Sequence, residues 1–373
     1  MKRAVVIVLD SVGCGNAPDA AAYGDAGADT LGHLFERIPG FSLPNLASLG
    51  LYQVMGLRDD RALAAGAEHA RLTERSAGKD TTTGHWELMG CALDEPFATF
   101  ESFPDDLVSE LQERGGVEFL GNHAASGTEI LVKLGEEHIR TGKPILYTSA
   151  DSVLQIAAHE EVFGLQRLWD LCKTARRLLD ERGIRIGRVI ARPFVGNPAA
   201  DFQRTGNRHD YSLMPGETTL NRLQRDGVQT LGVGKIADIF ANSGISESHA
   251  TKSNAEGMAA IDRLWDEARE TPHFIFANLV DFDSLYGHRR DPAGYAKCLT
   301  EFDAWLGTFI PKVRPGDLMI LTADHGNDPY HPGTDHTREQ VPVLALGLPH
   351  PIQDGVFSDV SRWVENHFTD ATR

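Results

Sequence analysis

Five short, mainly apolar runs constrain the fold more than any other feature of this sequence. They are Ala4–Leu9, Val228–Val233, Phe274–Val280, Leu318–Thr322 and Val341–Leu346. A continuous apolar run is typical of a strand that is buried on both faces. Helical patterns over Glu256–Glu270 and Ala293–Ile310 separate the later runs. This alternation of strands and helices predicts an α/β fold with a doubly wound, mostly parallel sheet.

The middle of the chain differs from the two ends. Between about residues 96 and 214 the strand runs are weaker, the loops are polar and contain glycine, and Leu165–Arg182 has a strong helical pattern. A chain of 373 residues is long enough for roughly two to three domains. We therefore expect a discontinuous core, residues 1–96 and 215–373, with an α+β domain inserted at residues 97–214.

Net charge, cysteine spacing and the lengths of the apolar runs indicate which partners and which cellular location to expect. The chain has 36 Lys and Arg against 53 Asp and Glu, a net charge of −17, which opposes binding to nucleic acids and anionic membranes. The four cysteines form no CxxC pair, so we expect reduced thiols. The first apolar stretch ends at Asp10, too early for a signal peptide, and no apolar run reaches the roughly 18 residues of a membrane span. We expect a soluble, cytoplasmic protein that acts on a small molecule.

Residues that commonly bind metals follow three of the predicted strands. They are Asp10 after the first run, Asp283 and His288 after Phe274–Val280, and Asp324, His325 and His336 after Leu318–Thr322. Ligands in open α/β sheets bind at the carboxyl ends of the strands. Mixed carboxylate and imidazole ligands suit Mn, Zn or Fe(II), and two such ions roughly 3.5–4 Å apart can promote phosphoryl transfer. One Asp-His pair is more often a core hydrogen-bonded pair, but six such residues after three strands favour metal binding.

Two further clusters have both a functional and an ordinary interpretation. The threonine run in Gly78–Glu87 could place a hydroxyl at a helix start, where an activated nucleophile or an anion would be favoured, or it could simply cap the helix. The basic residues of the second cluster are Arg192, Arg204, Arg208, His209 and Lys235. In so acidic a chain they suggest a phosphate clamp, although a solvated surface patch is about equally consistent with them.

Longer motifs resemble those of a known family. They are Leu9–Gly13, Gly78–Thr81, Thr83–Glu87, Tyr147–Glu161, Val189–Gly196, Asn207–Tyr211, Val280–Asp283, Tyr286–Arg290 and Thr322–Pro329. Together they resemble the bacterial phosphopentomutases, a family of the alkaline phosphatase superfamily. The resemblance covers nearly the whole chain, and a motif as long as Tyr147–Glu161 is highly specific.

The resemblance implies a fold and a reaction. It implies an alkaline-phosphatase-like core with the inserted domain as a cap, which would act as a lid that excludes water. The implied reaction interconverts ribose 1-phosphate and ribose 5-phosphate, and likewise the 2-deoxyribose phosphates. It would proceed through a phosphothreonine enzyme and a bisphosphate intermediate, with a sugar bisphosphate as the activator. We expect a monomer.

The resemblance also implies roles for individual residues. Two Mn²⁺ ions would be bound, one by Asp10, Asp324 and His325 and the other by Asp283, His288 and His336. Thr81 would be the nucleophile, with Thr82 as the alternative. The positions implied for sugar and phosphate binding are Ser149, Asp151, Arg192, Arg204, Arg208 and Lys235.

Overall fold

The computed structural model describes residues 2–58, 60–149, 151–196 and 201–369. The strands are β1 (Arg3–Leu9), β2 (Ala67–Thr73), β3 (Leu120–Ala124), β4 (Ile145–Thr148), β5 (Val153–His159), β6 (Arg188–Val195), β7 (Gln203–Arg204), β8 (His209–Ser212), β9 (Gln229–Val233), β10 (Glu247–His249), β11 (His273–Leu279), β12 (Leu318–Thr322), β13 (Val341–Leu346) and β14 (Gly355–Val356).

The helices connect and cover these strands. They are α1 (Thr30–Arg37), α2 (Pro44–Ser48), α3 (Leu51–Val54), α4 (Thr81–Leu88), α5 (Asp105–Gly115), α6 (Gly127–Thr141), α7 (Leu165–Glu181), α8 (Thr219–Arg225), α9 (Ile236–Ile239), α10 (Asn254–Asp266), α11 (Pro292–Phe309) and α12 (Ser358–Thr369). Short helical turns lie at Ala20–Tyr23, Glu160–Gly164, Phe282–Gly287 and Ile310–Lys312. Among the described residues, no helix is both long and apolar enough to cross a membrane.

The chain forms two compact units, one of residues 1–95 and 215–373 and the other of residues 96–214. The larger unit contains a sheet with the strand order β10-β9-β11-β1-β12-β13-β2-β14. The strands from β10 to β12 are parallel, whereas β13 is antiparallel to both of its neighbours. The predicted fold class, a mostly parallel α/β sheet, is confirmed.

Burial explains why the five apolar runs became strands. Every residue of β11, β12 and β13 is buried, and in β1 only Arg3 is partly exposed. The two predicted helical patterns correspond to α10, which packs against β11, and α11, which packs against α2. Burial on both faces accounts for the absence of alternating polar residues in these runs.

The smaller unit has a mixed sheet of its own, with the strand order β3-β4-β5-β6-β7 and with β8 paired to β6. All seven residues of β5 are buried. Leu154 and Ile156 face an apolar cluster with residues of α5 and α7, whereas Ala157 faces a second cluster with residues of α6. The unit therefore has apolar cores on both faces of its sheet.

Candidate metal centre and nucleophile

The register of the central strands brings the polar residues that follow them to one level. Leu9 at the end of β1 pairs with Leu279 at the end of β11, and Val8 pairs with Thr322 at the end of β12. Asp10 therefore leaves the sheet beside the turn Phe282–Gly287 and beside Asp324. Parallel strands ending together create the polar edge that the sequence predicted.

Asp10, Asp324 and His325 form a first, completely buried group. His325 Nε2 lies 3.4 Å from Asp10 Oδ1 and 3.4 Å from Asp324 Oδ2. Among the described residues, neither of these carboxylate oxygens accepts a well-formed hydrogen bond. Buried carboxylate oxygens without such bonds are costly unless a cation compensates them. The donor set therefore fits a divalent metal ion.

Asp283, His288 and His336 form a second group beside the first. Asp283 Oδ2 lies 3.2 Å from His288 Nε2, and Asp283 Oδ1 lies 3.4 Å from His336 Nε2. His288 Nδ1 donates to the Thr334 carbonyl at 2.7 Å, which leaves Nε2 free to face the carboxylate. The imidazoles thus present the nitrogens that a second cation requires.

His325 lies between the two groups. Its ring centroid is 4.0 Å from that of His336, and Asp283, His325 and His336 lie close enough together to hold one cation, a combination that does not include His288. However, His325 Nδ1 donates to the Gly326 carbonyl at 3.0 Å. Only Nε2 remains to bind a metal, so His325 can serve one cation and not both.

The pKa values of these groups are shifted because the groups are buried and their charges lie close together. Burial, with a smaller contribution from nearby carboxylates, raises the pKa of Asp10 well above its usual value. Burial opposes the charge on His325, but Asp324 and Asp10 outweigh it and raise its pKa to about 9. Burial also opposes ionisation of Asp283, but hydrogen bonds from the adjacent imidazoles outweigh it and lower its pKa below the usual value. Positive charge at this position would reduce the repulsion between the buried carboxylates.

Helix α4 begins at Thr81, directly beside the first group. Asp80 caps the helix, because its Oδ1 accepts from the backbone nitrogens of Thr82 at 3.0 Å and Thr83 at 3.1 Å. The Thr83 hydroxyl donates to the other oxygen of Asp80. Thr81 Oγ1 lies 3.1 Å from His325 Nε2. A carboxylate supplies the cap, and the Thr81 hydroxyl reaches the candidate ligands.

Close packing against the backbone requires the glycine of the Thr83-Gly84-His85 motif. A Cβ atom at position 84 would lie 2.1 Å from the backbone carbonyl oxygen of Asp324. Only glycine therefore lets the first turn of α4 approach the backbone after β12 this closely. The approach brings Thr81 to His325.

Sequence reasoning missed several residues that hold the ligands in place. Ser11 has a φ of +71°, and in this left-handed conformation its backbone nitrogen donates to Asp324 Oδ1 at 3.0 Å. Asn327 Nδ2 donates to Asp283 Oδ1 at 2.7 Å. Asn278 and His85 contact the carboxylates of the first group. Asn278 gave a usable signal, since it is a polar residue inside an apolar strand run.

The residues predicted to bind sugar and phosphate belong to both units. Lys235 is exposed and follows β9 in the larger unit. In the smaller unit, Ser149 is half-buried and Asp151 is exposed, and both lie in the connection between β4 and β5. Arg192 Nε donates to Gln155 Oε1 at 3.0 Å.

Three predicted arginines gather around one tyrosine of the smaller unit. Burial raises the pKa of the Tyr147 hydroxyl, and the charges of Arg192, Arg204 and Arg208 oppose that shift. Arg208 is held by Asp210, to whose Oδ1 its Nε donates at 2.6 Å. The arginines are thus close enough to form one positive cluster, which suits a phosphate group.

The chain is similar to known proteins in both sequence and fold. The model of the metalloenzyme superfamily matches residues 2–362. Phosphopentomutases from Symbiobacterium thermophilum and Syntrophotalea carbinolica are each 53% identical, covering 95% and 92% of this chain and 90% and 87% of their own. A solved structure, the PH0037 protein from Pyrococcus horikoshii, has a similar fold, with a TM-score of 0.50 and 13% identity over 99% of this chain and 98% of its own. On the strength of the near-complete superfamily match and the identity to these relatives, the chain belongs to the phosphopentomutase family of the metalloenzyme superfamily.

Proposed function

We propose that this enzyme interconverts ribose 1-phosphate and ribose 5-phosphate, and likewise the 2-deoxyribose phosphates. The names of its relatives support a mutase acting on pentose phosphates. The observation that carries the detailed proposal is the position of Thr81, whose Oγ1 lies 3.1 Å from His325 Nε2 beside the candidate metal ligands. The arrangement is suited to holding a phosphoryl group on a threonine.

The two ligand groups fit two divalent cations, which we propose to be Mn²⁺. Asp10, Asp324 and His325 would hold one, and Asp283, His288 and His336 would hold the other. The orphaned oxygens of Asp10 and Asp324 and the orphaned Nε2 of His336 support this assignment. Such ions supply positive charge that neutralises a phosphoryl group during transfer.

Thr81 would carry the phosphoryl group between two sugar hydroxyls. In the first step, the free hydroxyl of the sugar monophosphate attacks phosphorus, the Oγ–P bond of phospho-Thr81 breaks, and the proton lost by the sugar replaces the phosphoryl group on Thr81. The product is a sugar bisphosphate. Its other phosphate returns to Thr81 by the reverse exchange, and no atom is lost or gained overall. Thr81 lies at a helix N-terminus, which favours the negative charge of the bound phosphoryl group.

The remaining predicted residues would bind the sugar phosphate. We propose that Arg192, Arg204 and Arg208 bind phosphate as a charged cluster, with Ser149 and Asp151 as sugar contacts and with Lys235 as a further cation. We also propose that the smaller unit acts as a cap, that a sugar bisphosphate primes Thr81, and that the enzyme works as a cytoplasmic monomer.

One experiment tests the reaction and the nucleophile together. The protein is incubated with Mn²⁺ and a sugar bisphosphate, and its intact mass and phosphopeptides are measured before and after ribose 5-phosphate is added. We expect phosphate on Thr81 that disappears as ribose 1-phosphate forms. Phosphate on Thr82 would move the nucleophile, whereas free phosphate without a phosphoenzyme would indicate a phosphatase and contradict the proposal.

A further inference from the structure

A buried histidine and a buried asparagine connect the first ligand group to the helix that carries Thr81. His85 lies one turn after Thr81 on α4 and is 0% exposed. Asn278 is the next-to-last residue of β11 and is 1% exposed. Neither side chain is accessible to a sugar phosphate, so any role in the reaction must act through other residues.

The surroundings of His85 determine which ring nitrogen carries the proton. His85 Nδ1 lies 2.9 Å from the carbonyl oxygen of Thr81 and 3.0 Å from Asp324 Oδ2. Both oxygens can only accept, so Nδ1 is protonated. Nε2 lies 3.2 Å from Asn278 Nδ2, which can only donate. Both nitrogens are therefore engaged, one as a donor and the other as an acceptor.

Asn278 extends the same chain of contacts to Asp10. Its Nδ2 donates to Asp10 Oδ2 at 2.9 Å. The amide nitrogen has two hydrogens, and Asp10 and His85 accept one each. The hydrogen bonds run from Asp10 through Asn278 and His85 to the Thr81 carbonyl, and His85 Nδ1 is also in close contact with Asp324 Oδ2.

This chain orients the metal-facing atoms. Asp10 Oδ2 is occupied by Asn278 and Asp324 Oδ1 by the Ser11 backbone, so Asp10 Oδ1 faces His325 Nε2 and Asp324 Oδ2 lies between His325 Nε2 and His85 Nδ1. We propose that His85 and Asn278 form a positioning bridge, which holds both carboxylates of one cation site and the first turn of α4 in a fixed relation. The inference deepens the proposed function and rests on it for the role of Thr81.

The bridge can be tested with Mn²⁺ alone, because binding is measured without turnover. Free Mn²⁺ is followed by electron paramagnetic resonance during titration of the complete metal-free protein and its variants. His85→Asn keeps an amide nitrogen near the position of Nδ1, so it can still face Asp324 and the Thr81 carbonyl. His85→Gln places its amide near Nε2 instead and loses that contact. Asn278→Ala breaks the link at the other end.

We expect the wild type to bind two Mn²⁺ ions per chain. His85→Gln and Asn278→Ala should each weaken one of the two by about 10- to 100-fold and leave the other within a few-fold of wild type. His85→Asn should recover most of the loss. Because the two residues act as one unit, the double variant His85→Gln with Asn278→Ala should lose little more than the weaker-binding single variant.

The matched control is His273→Gln, at the opposite end of β11, where the histidine is also buried and, within the described part of the chain, its charged neighbours are Arg269, Arg3 and Asp317 rather than candidate ligands. Equal weakening of both sites, the same loss in His273→Gln, or wild-type binding in His85→Gln or Asn278→Ala would overturn the bridge. If His85→Gln does not fold, as judged by circular dichroism in EDTA, Asn278→Ala decides the question. A wild type that binds Mn²⁺ but does not isomerise ribose phosphates would overturn the proposed function and leave the binding test of the bridge intact.

Discussion

At the scale of single residues, three adjacent threonines have three different environments. Thr83 is buried and its hydroxyl bonds to Asp80, whereas the Thr81 hydroxyl lies beside His325. Thr82 contributes its backbone nitrogen to the Asp80 cap. Helical geometry separates their side chains by about 100° each, so only one can face the ligands. The structure thus favours Thr81 over the alternative, Thr82.

Replacing Thr81 and Thr82 in turn should distinguish their roles. We expect Thr81→Val to abolish phosphoenzyme formation and to lower kcat by at least about 10³-fold, since a nucleophile cannot be replaced by a methyl group. Thr82→Val, which has the same change in shape, should stay within about 10-fold of wild type. The measurements are the intact mass after priming and kcat for ribose 1-phosphate formation. A phosphorylated Thr81→Val variant would refute the assignment.

At the scale of secondary-structure elements, the cap of α4 determines where Thr81 stands. Asp80 accepts from two backbone nitrogens and one hydroxyl in the first turn. We expect Asp80→Ala to lower the free energy of unfolding by about 1 kcal/mol, the usual cost of losing such a cap. Its kcat should fall by more than the loss of folded protein explains, because Thr81 loses its fixed position.

Asp80→Asn is the control for this substitution, since an asparagine oxygen caps helices nearly as well. Unfolding in urea and kcat are measured for both variants. A normal kcat in Asp80→Ala, together with the expected loss of stability, would show that the cap stabilises the protein but is not needed for catalysis, and would contradict the prediction.

The stability of the smaller unit should depend on pH, because the buried side chain of His138 connects α6 to β5 through hydrogen bonds. His138 Nδ1 donates to the Lys143 carbonyl at 2.7 Å, and its Nε2 accepts from the backbone nitrogen of His159 at 2.9 Å. Burial lowers the pKa of His138. Protonation thus favours the unfolded state, so the stability that His138 contributes is present above its ordinary pKa of 6.5 and is lost as the pH falls below it.

The free energy of unfolding from pH 8 to pH 5 should therefore fall more steeply in wild type than in His138→Gln. The control His123→Gln replaces an exposed histidine of the same unit. We expect its profile to follow that of wild type. Parallel profiles for wild type and His138→Gln would show that His138 stays unprotonated in both states or protonates equally in both.

The elements were predictable to different degrees, for physical reasons. The strands β1, β11 and β12 are predictable from local sequence, because burial on both faces requires apolar runs, and the polar residues after them meet at the sheet edge. The antiparallel direction of β13 is not predictable, since a buried strand has the same composition in either direction. His85 and Asn278 could not be paired from sequence either, because they lie 193 positions apart and meet only through the packing of α4 on β11.

At the scale of the whole molecule, the two units carry different parts of the proposed chemistry. The larger unit holds the candidate ligands and Thr81, and the smaller unit holds the three arginines. Transfer to a sugar rather than to water requires that the sugar phosphate be bound. The ratio of transfer to hydrolysis should therefore depend on the smaller unit.

Replacing residues 96–214 with a short linker tests this dependence. We expect the truncated protein to release free phosphate from its phosphoenzyme and to form far less ribose 1-phosphate. The measurement is the ratio of free phosphate to ribose 1-phosphate, with Arg192→Ala in the complete chain as a milder comparison. A truncated protein that kept a wild-type ratio would show that the larger unit alone selects the sugar.

The central position of β1 has a consequence for how the protein is made. Its two neighbours are β11 and β12, so Arg3 pairs with His273, and Ala4 pairs with both Phe274 and Leu318. At a synthesis rate of roughly 5–20 residues per second, β1 leaves the ribosome roughly 15–60 s before its partners. During that time its apolar surface has no sheet to join. The nascent chain therefore has to keep β1 from aggregating until β11 and β12 have been synthesised, and the candidate metal centre cannot assemble before then.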